Sequence, residues 1–273
     1  MVVDPLTLVI QILLMFAVAF IYSNLGLGGG LLFVPILLST GVADTKIAAP
    51  ISLTLTVMTA AASVINHWRK GFVDVRLGRR LLVGPIAGAV LGALFHLAIL
   101  TDAAFKVFFA AILVVFGGLM VRDWLKNARS VDEDDDAKLV PSRVAETSAA
   151  MAGSGFLSGS LGVGGGILNV PLMAYFLGRR TRKAIGVSSL LIVPTAIVGF
   201  LAYLANLALQ PSGFVLPGEF ILIPILMPFV LVGAYIGSRW GLARLKARSV
   251  ALIFILVLFI AAAKLIVDIA LVS

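Results

Sequence analysis

The chain has 273 residues, of which 61% are hydrophobic and 12% charged, against about 45–50% apolar in an ordinary soluble domain. A soluble fold this greasy would leave apolar surface in water, so the composition points to the bilayer as solvent. The absence of cysteine excludes disulfides, thiolate metal sites and CxxC redox chemistry, and the net charge of +8 is read as basic cytoplasmic loops rather than as a nucleic-acid surface.

In chain order, residues 6–23 are apolar and lack a basic leader, which predicts a retained membrane segment rather than a cleaved signal. The sequence LGLGGGLLFVP follows at 25–35. Spans of about 20 residues are predicted at 47–68, 81–100 and 103–121, ahead of a polar, acidic linker at 123–144. A second apolar arm leads into LGVGGGILNVP at 161–171, and further spans are predicted at 184–208, 219–240 and 249–271. The two glycine motifs match at a spacing of 136: Leu25 with Leu161, Gly26 with Gly162, Gly28 to Gly30 with Gly164 to Gly166, and Pro35 with Pro171. Ser52 meets Ser188 and Thr59 meets Thr195 at the same offset. GAVLGAL (88–94) resembles GAYIGSR (233–239). The chain therefore divides into a first repeat at 1–122, the linker, and a second repeat at 145–273.

The helical arm after each glycine run is short. Nine residues rise only about 13 Å, too little to cross alone. Each motif (6–39 and 147–177) is either one broken span or a hairpin. Charge favours the hairpin: with an even number of crossings per motif, the basic loops 69–80, 122–145, 178–183 and 239–248 all become cytoplasmic and both termini lie outside. Each half then crosses an odd number of times. The expected fold is an all-α polytopic membrane protein made of two inverted repeats, each a glycine-tipped broken or re-entrant hairpin plus three transmembrane helices.

A glycine run opening a helix leaves N–H groups unpaired, and the helix dipole adds positive potential there. Together they make an anion site that needs no Arg or Lys. The candidate substrate ligands are Gly28, Gly29, Gly30, Gly164, Gly165 and Gly166, with Ser23, Asn24, Ser160 and Asn169 at the tips and Ser52, Thr54, Ser188 and Ser189 on adjoining spans. Ser158, Thr56 and Thr195 lie nearby. The blander reading assigns membrane glycines to close packing and Ser or Thr hydroxyls to their own helix; duplication of the whole motif with its proline argues for more. Phe33 stands where the second motif has Asn169, so the tips differ chemically. His67, beside Trp68, reads as an interface anchor with a proton-relay role as the alternative. His67 and His96 are too far apart for an obvious metal site. No metal, cofactor or enzymatic nucleophile–base pair is expected.

The paired GLGGG…P and GVGGG…P motifs, their spacing and the acidic linker resemble the sulfite exporter family of TauE/SafE type, also called the toluenesulfonate uptake permease family. The resemblance covers nearly the whole chain. It implies a bacterial cytoplasmic-membrane carrier that moves sulfite or sulfonates such as sulfoacetate, mostly outward and linked to protons. Its partners would be a small anion, protons and the lipid bilayer. An anion channel using the same glycine tips as a filter is the alternative.

Overall fold

In a computed structural model of the chain, residues 4–125, 141–177, 181–209, 214–244, 255–256 and 259–267 are described, and they are helical apart from short turns and loops. The first helix, α1 (Pro5–Leu25), starts at Asp4, whose carboxylate accepts from the Thr7 N–H, with Pro5 in the first turn where its missing donor costs nothing. It ends at Gly26, and α2 (Gly30–Ser39) follows after the glycine turn. The long helix α3 (Thr45–Arg69) is capped by Asp44. The remaining helices are α4 (Val75–Leu81), α5 (Val83–Ala98), α6 (Asp102–Leu125), α7 (Pro141–Leu161), α8 (Gly166–Leu177), α9 (Thr181–Ala208) and α10 (Leu222–Arg244), the last entered through a 3-10 turn at Gly218–Ile221. Residues 259–267, inside the predicted last span, are helical too. Of the linker predicted at 123–144, residues 123–125 belong to α6 and 141–144 to α7, and the stretch between them lies outside the described residues.

Among the described residues, five helices are long and apolar enough to cross a bilayer, or six when α4 and α5 count as one bent span. The span predicted at 81–100 is mainly α5, and α4, in the stretch predicted as the loop 69–80, meets it at a bend of 45°. The cause is local. Pro85 has no N–H to offer the carbonyl of Leu81 four residues earlier. The Ser148 hydroxyl of α7 fills the gap, donating to the Leu81 carbonyl at 3.1 Å and accepting from the Gly84 N–H at 3.1 Å.

The packing is inside out relative to a soluble protein. Leu6, Leu13, Val83, Leu91, Val115 and Leu201 are exposed, while Ser52, Thr56, Ser63, His67, His96, Ser188 and Thr195 are buried. About two-thirds of the apolar window of α3 and of α9 is buried (67% and 61%), against 28–33% for α1, α6 and α10. Helices α3 and α9 therefore form the centre, and the others present lipid-facing surface.

The two halves exchange partners. The arm α1 packs along α10, and the arm α7 packs along α5. Glycine makes both contacts possible, because neither leaves room for a Cβ. Gly84, Gly88 and Gly92 lie on the α7 backbone at Ser148, Ala152 and Phe156, and Gly155 and Gly159 lie on α5 at Pro85 and Ala89. Gly233 and Gly237 of α10 lie on α1 at Phe16 and Phe20. The GAVLGAL and GAYIGSR segments are thus seams between backbones.

Candidate functional site

The two glycine motifs fold into the same backbone. Gly26, Gly28 and Gly29 have φ of 65°, 82° and 96°; Gly162, Gly164 and Gly165 have 72°, 85° and 70°. All six lie in the left-handed region that penalises a Cβ, so the turn itself demands glycine at these positions. Among the described residues, no acceptor meets the N–H of Gly28, Gly29 or Gly30, nor that of Gly164, Gly165 or Gly166.

The two tips meet. A side chain at Gly30 would strike the backbone of Gly162 and Val163, and one at Gly166 would strike Gly26 and Leu27. Each tip also rests on the central helix of the other half: Gly26 on Ile185 of α9, Gly162 on Ala49 of α3. Two hydroxyls fasten this crossing. Ser52 donates to the Gly162 carbonyl at 2.7 Å, and Ser188 donates to the Gly26 carbonyl at 2.8 Å. Donors, acceptors and supports all correspond at the spacing of 136. Thr56 and Ile192, equivalent positions by the same offset, both touch Gly28 and Gly164. The Thr56 hydroxyl is buried without a partner among the described residues.

Beside the second tip, a void of about 10 Å³ bordered by Ser154, Val163, Gly165 and Phe116 has room for one water. A larger cavity of about 590 Å³ lies away from the tips, among Asp4, Thr7, Gln11, Thr40 and Glu219.

The family pattern for the sulfite exporter TauE/SafE matches residues 11–265. The chain belongs to the TauE/SafE sulfite exporter family. It is 32% identical over 179 residues to a probable membrane transporter protein of Xylella fastidiosa (strain 9a5c), an alignment spanning 65% of this chain and 66% of that one. It is 26% identical over 239 residues to the probable membrane transporter protein YdhB of Bacillus subtilis (strain 168), covering 84% and 88% of the two chains. With YunE of the same organism, a further probable membrane transporter protein, identity is 24% over 266 residues, covering 90% and 92%. No solved structure matches the chain. This TauE/SafE protein is therefore a multi-pass membrane protein of a transporter family.

The remaining sequence candidates divide by what their side chains bond. Ser23 and Asn24 both donate to the Phe20 carbonyl, but the Asn24 Oδ1 is buried with no acceptor role filled. Thr54 and Ser160 donate to Pro50 and Phe156 on their own helices. Ser189 donates to Ile185 and lies 2.9 Å from the Ser63 hydroxyl. Asn169 accepts from Ser154, whereas its counterpart Phe33 lays its ring over Gly29. The Ser158 hydroxyl is fully buried and unpartnered. His67 is buried, unlike exposed Trp68. Its Nδ1 lies 2.8 Å from the Ser63 carbonyl and so donates there, which leaves Nε2 as a bare acceptor.

Sequence reasoning passed over Ser63, Ser154, Ile192 and Tyr203, and weighed His96 only as a metal ligand. The repeat offset contained part of the signal. Thr56 and Ile192 correspond, as do His67 and Tyr203. The hydroxyls of Ser63 and Tyr203 donate to equivalent carbonyls, Ser23 at 2.7 Å and Gly159 at 2.9 Å.

Proposed function

We propose that this membrane transporter is a secondary carrier that exports small sulfur-containing oxyanions, sulfite or an organosulfonate such as sulfoacetate, by alternating access and in exchange with protons. The observation that carries the reading is the meeting of two helix-opening glycine turns, each with N–H groups that no acceptor among the described residues uses. Unpaired amides in a dry interior are costly, and an oxyanion satisfies several at once without a formal positive charge. The buried, unpartnered oxygens of Thr56, Ser158 and Asn24 supply further polar contacts. Thr56 and Ser158 can donate, while Asn24 would have to turn its amide. In this reading the substrate ligands are Gly28 to Gly30 and Gly164 to Gly166, with Asn24, Asn169 and the serines around them; Ser52 and Ser188 hold the tips together.

The two halves insert in opposite orientations, with both termini outside and the basic loops in the cytoplasm. The reciprocal bonds between Ser52 and Gly162 and between Ser188 and Gly26 support this pairing of halves. The duplicated, glycine-interrupted short helices favour a carrier over a channel, since that pattern marks secondary transporters with a midplane site.

Proteoliposomes loaded with sulfite or sulfoacetate test the transport reading. Saturable efflux that accelerates with an inward proton gradient is the expected result; no flux of either anion ends it, and single-channel currents would transfer the site to a channel. The native chain lacks cysteine, so orientation is tested with single replacements. Arg76→Cys should react with an impermeant maleimide only from the cytoplasmic face, and Val215→Cys only from the outside.

A further inference from the structure

A chain of hydrogen bonds runs from an exposed carboxylate to the last turn before the second glycine tip. Asp102, the first residue of α6, accepts through Oδ1 from the Thr45 hydroxyl at 2.6 Å and from the Thr45 N–H at 3.1 Å. Thr45 Oγ1 lies 3.1 Å from His96 Nε2. His96 Nδ1 lies 2.6 Å from the Tyr203 hydroxyl, which donates to the Gly159 carbonyl at 2.9 Å. His96 and Thr45 are fully buried and Tyr203 almost so, and the imidazole stacks on Phe105 with ring centroids 4.6 Å apart. Five helices, α3, α5, α6, α7 and α9, are tied by these four side chains.

Counting protons along this chain decides what it holds. A carbonyl only accepts, so Tyr203 gives its one proton to Gly159 and must receive one from His96 Nδ1. At the other end two arrangements satisfy every link. In one, Asp102 is a carboxylate, Thr45 donates to it, and His96 Nε2–H donates to Thr45. In the other, Asp102 is protonated and donates to Thr45, and Thr45 donates to a neutral His96. Both contain the same single extra proton. Without it, carboxylate and bare Nε2 compete for the one Thr45 hydroxyl proton, and one link fails.

We propose that Asp102, Thr45 and His96 form the proton-binding site of this carrier, loaded from the face that bears Asp102 and reported to the second glycine tip through Tyr203. The inference rests on the carrier reading for its role in transport, though not for its chemistry. Loading is balanced. A hydronium ion at the surface gives its proton to the Asp102 carboxylate and leaves as water; the Asp102 proton passes to Thr45 Oγ1 as the Thr45 hydroxyl proton passes to Nε2, leaving carboxylate, hydroxyl and imidazolium. Among the described residues, the charged groups facing the ring are Asp102 and Lys46, whose Nζ donates to the Leu97 carbonyl at 3.0 Å. The second histidine, His67, reaches no carboxylate among the described residues.

The chain holds only two histidines, so ring-labelled histidine NMR on the full-length protein in detergent assigns each directly once His67→Gln removes one signal. The His96 ring nitrogens should shift with pH in a titration run from about 3 to 9. Asp102→Asn should abolish that transition or move it by at least about one pH unit, with the His67 signal unmoved. A His96 signal constant over that range in the wild type, or one whose transition Asp102→Asn leaves in place, overturns the proposal. In sulfite proteoliposomes, His96→Gln should lose at least about tenfold of the efflux driven by a pH gradient while keeping exchange at equal pH within about threefold. Gradient-driven efflux that survives His96→Gln also overturns it. Should the wild type move no sulfite, the carrier reading falls and the NMR titration alone decides the proton site.

Discussion

The first and second glycine tips share a backbone and differ in what surrounds it. The first has the Phe33 ring over Gly29, and the second has Asn169 held by Ser154 with unpartnered Ser158 in the arm before it. The turn is duplicated because it is a backbone device, and only glycine tolerates its φ values together with contact between the tips. The lining has diverged because side chains beside the turn are free of that constraint. In the proposed carrier reading, the N–H donors set a general attraction for anions and the second tip provides the polar discrimination.

The largest test of that comparison is steric. Gly30→Val and Gly166→Val each push a side chain into the opposite tip's backbone, which has no rotamer with which to yield. Each should cost about 3 kcal/mol or more, read as a lost or strongly lowered melting transition in detergent. Gly118→Ala, in open space on α6, is the neutral control. Tolerance of valine at either position would break the picture of touching tips.

Next come the two fastening serines. Ser52→Ala and Ser188→Ala each leave a buried carbonyl without its donor, at a cost of about 1–3 kcal/mol. Equal losses are expected in denaturant or thermal melts. A loss confined to one of them would mean that the two crossings are not equivalent.

Smaller effects separate the tips. Asn169→Leu should raise the KM for the transported anion about tenfold through loss of a polar contact worth about 1.4 kcal/mol. Phe33→Leu should leave KM within about twofold. Equal effects at the two positions would place discrimination elsewhere. Smallest in stability is Ser158→Ala. Its hydroxyl has no protein partner, so the melt should move by no more than about 0.5 kcal/mol, while anion binding in a thermal-shift titration weakens. Unchanged binding would remove Ser158 from the site.

Much of the architecture was legible because the bilayer imposes long apolar runs, and the observed α3 and α9 extend the predicted spans by only a few residues at their starts. The bend between α4 and α5 was not legible. Pro85 announced a missing hydrogen bond, but Ser148, which repairs it, is 64 positions away from Gly84. In the candidate site, the glycines, Ser52 and Ser188 stood out through repetition. His96 and Tyr203 did not, since a relay joins residues that share no periodicity and lie 107 positions apart.

By itself the sequence determined the solvent, the rough limits of several long helices, and the two turns where only glycine will fit. These follow from local physics: apolar content, helix rise and the sterics of φ. Only the tertiary structure decided that the two turns touch, that each is held by a serine of the other half, and that a surface carboxylate is wired to a buried imidazole. Such contacts depend on how distant helices pack, and no local pattern encodes the distance between them.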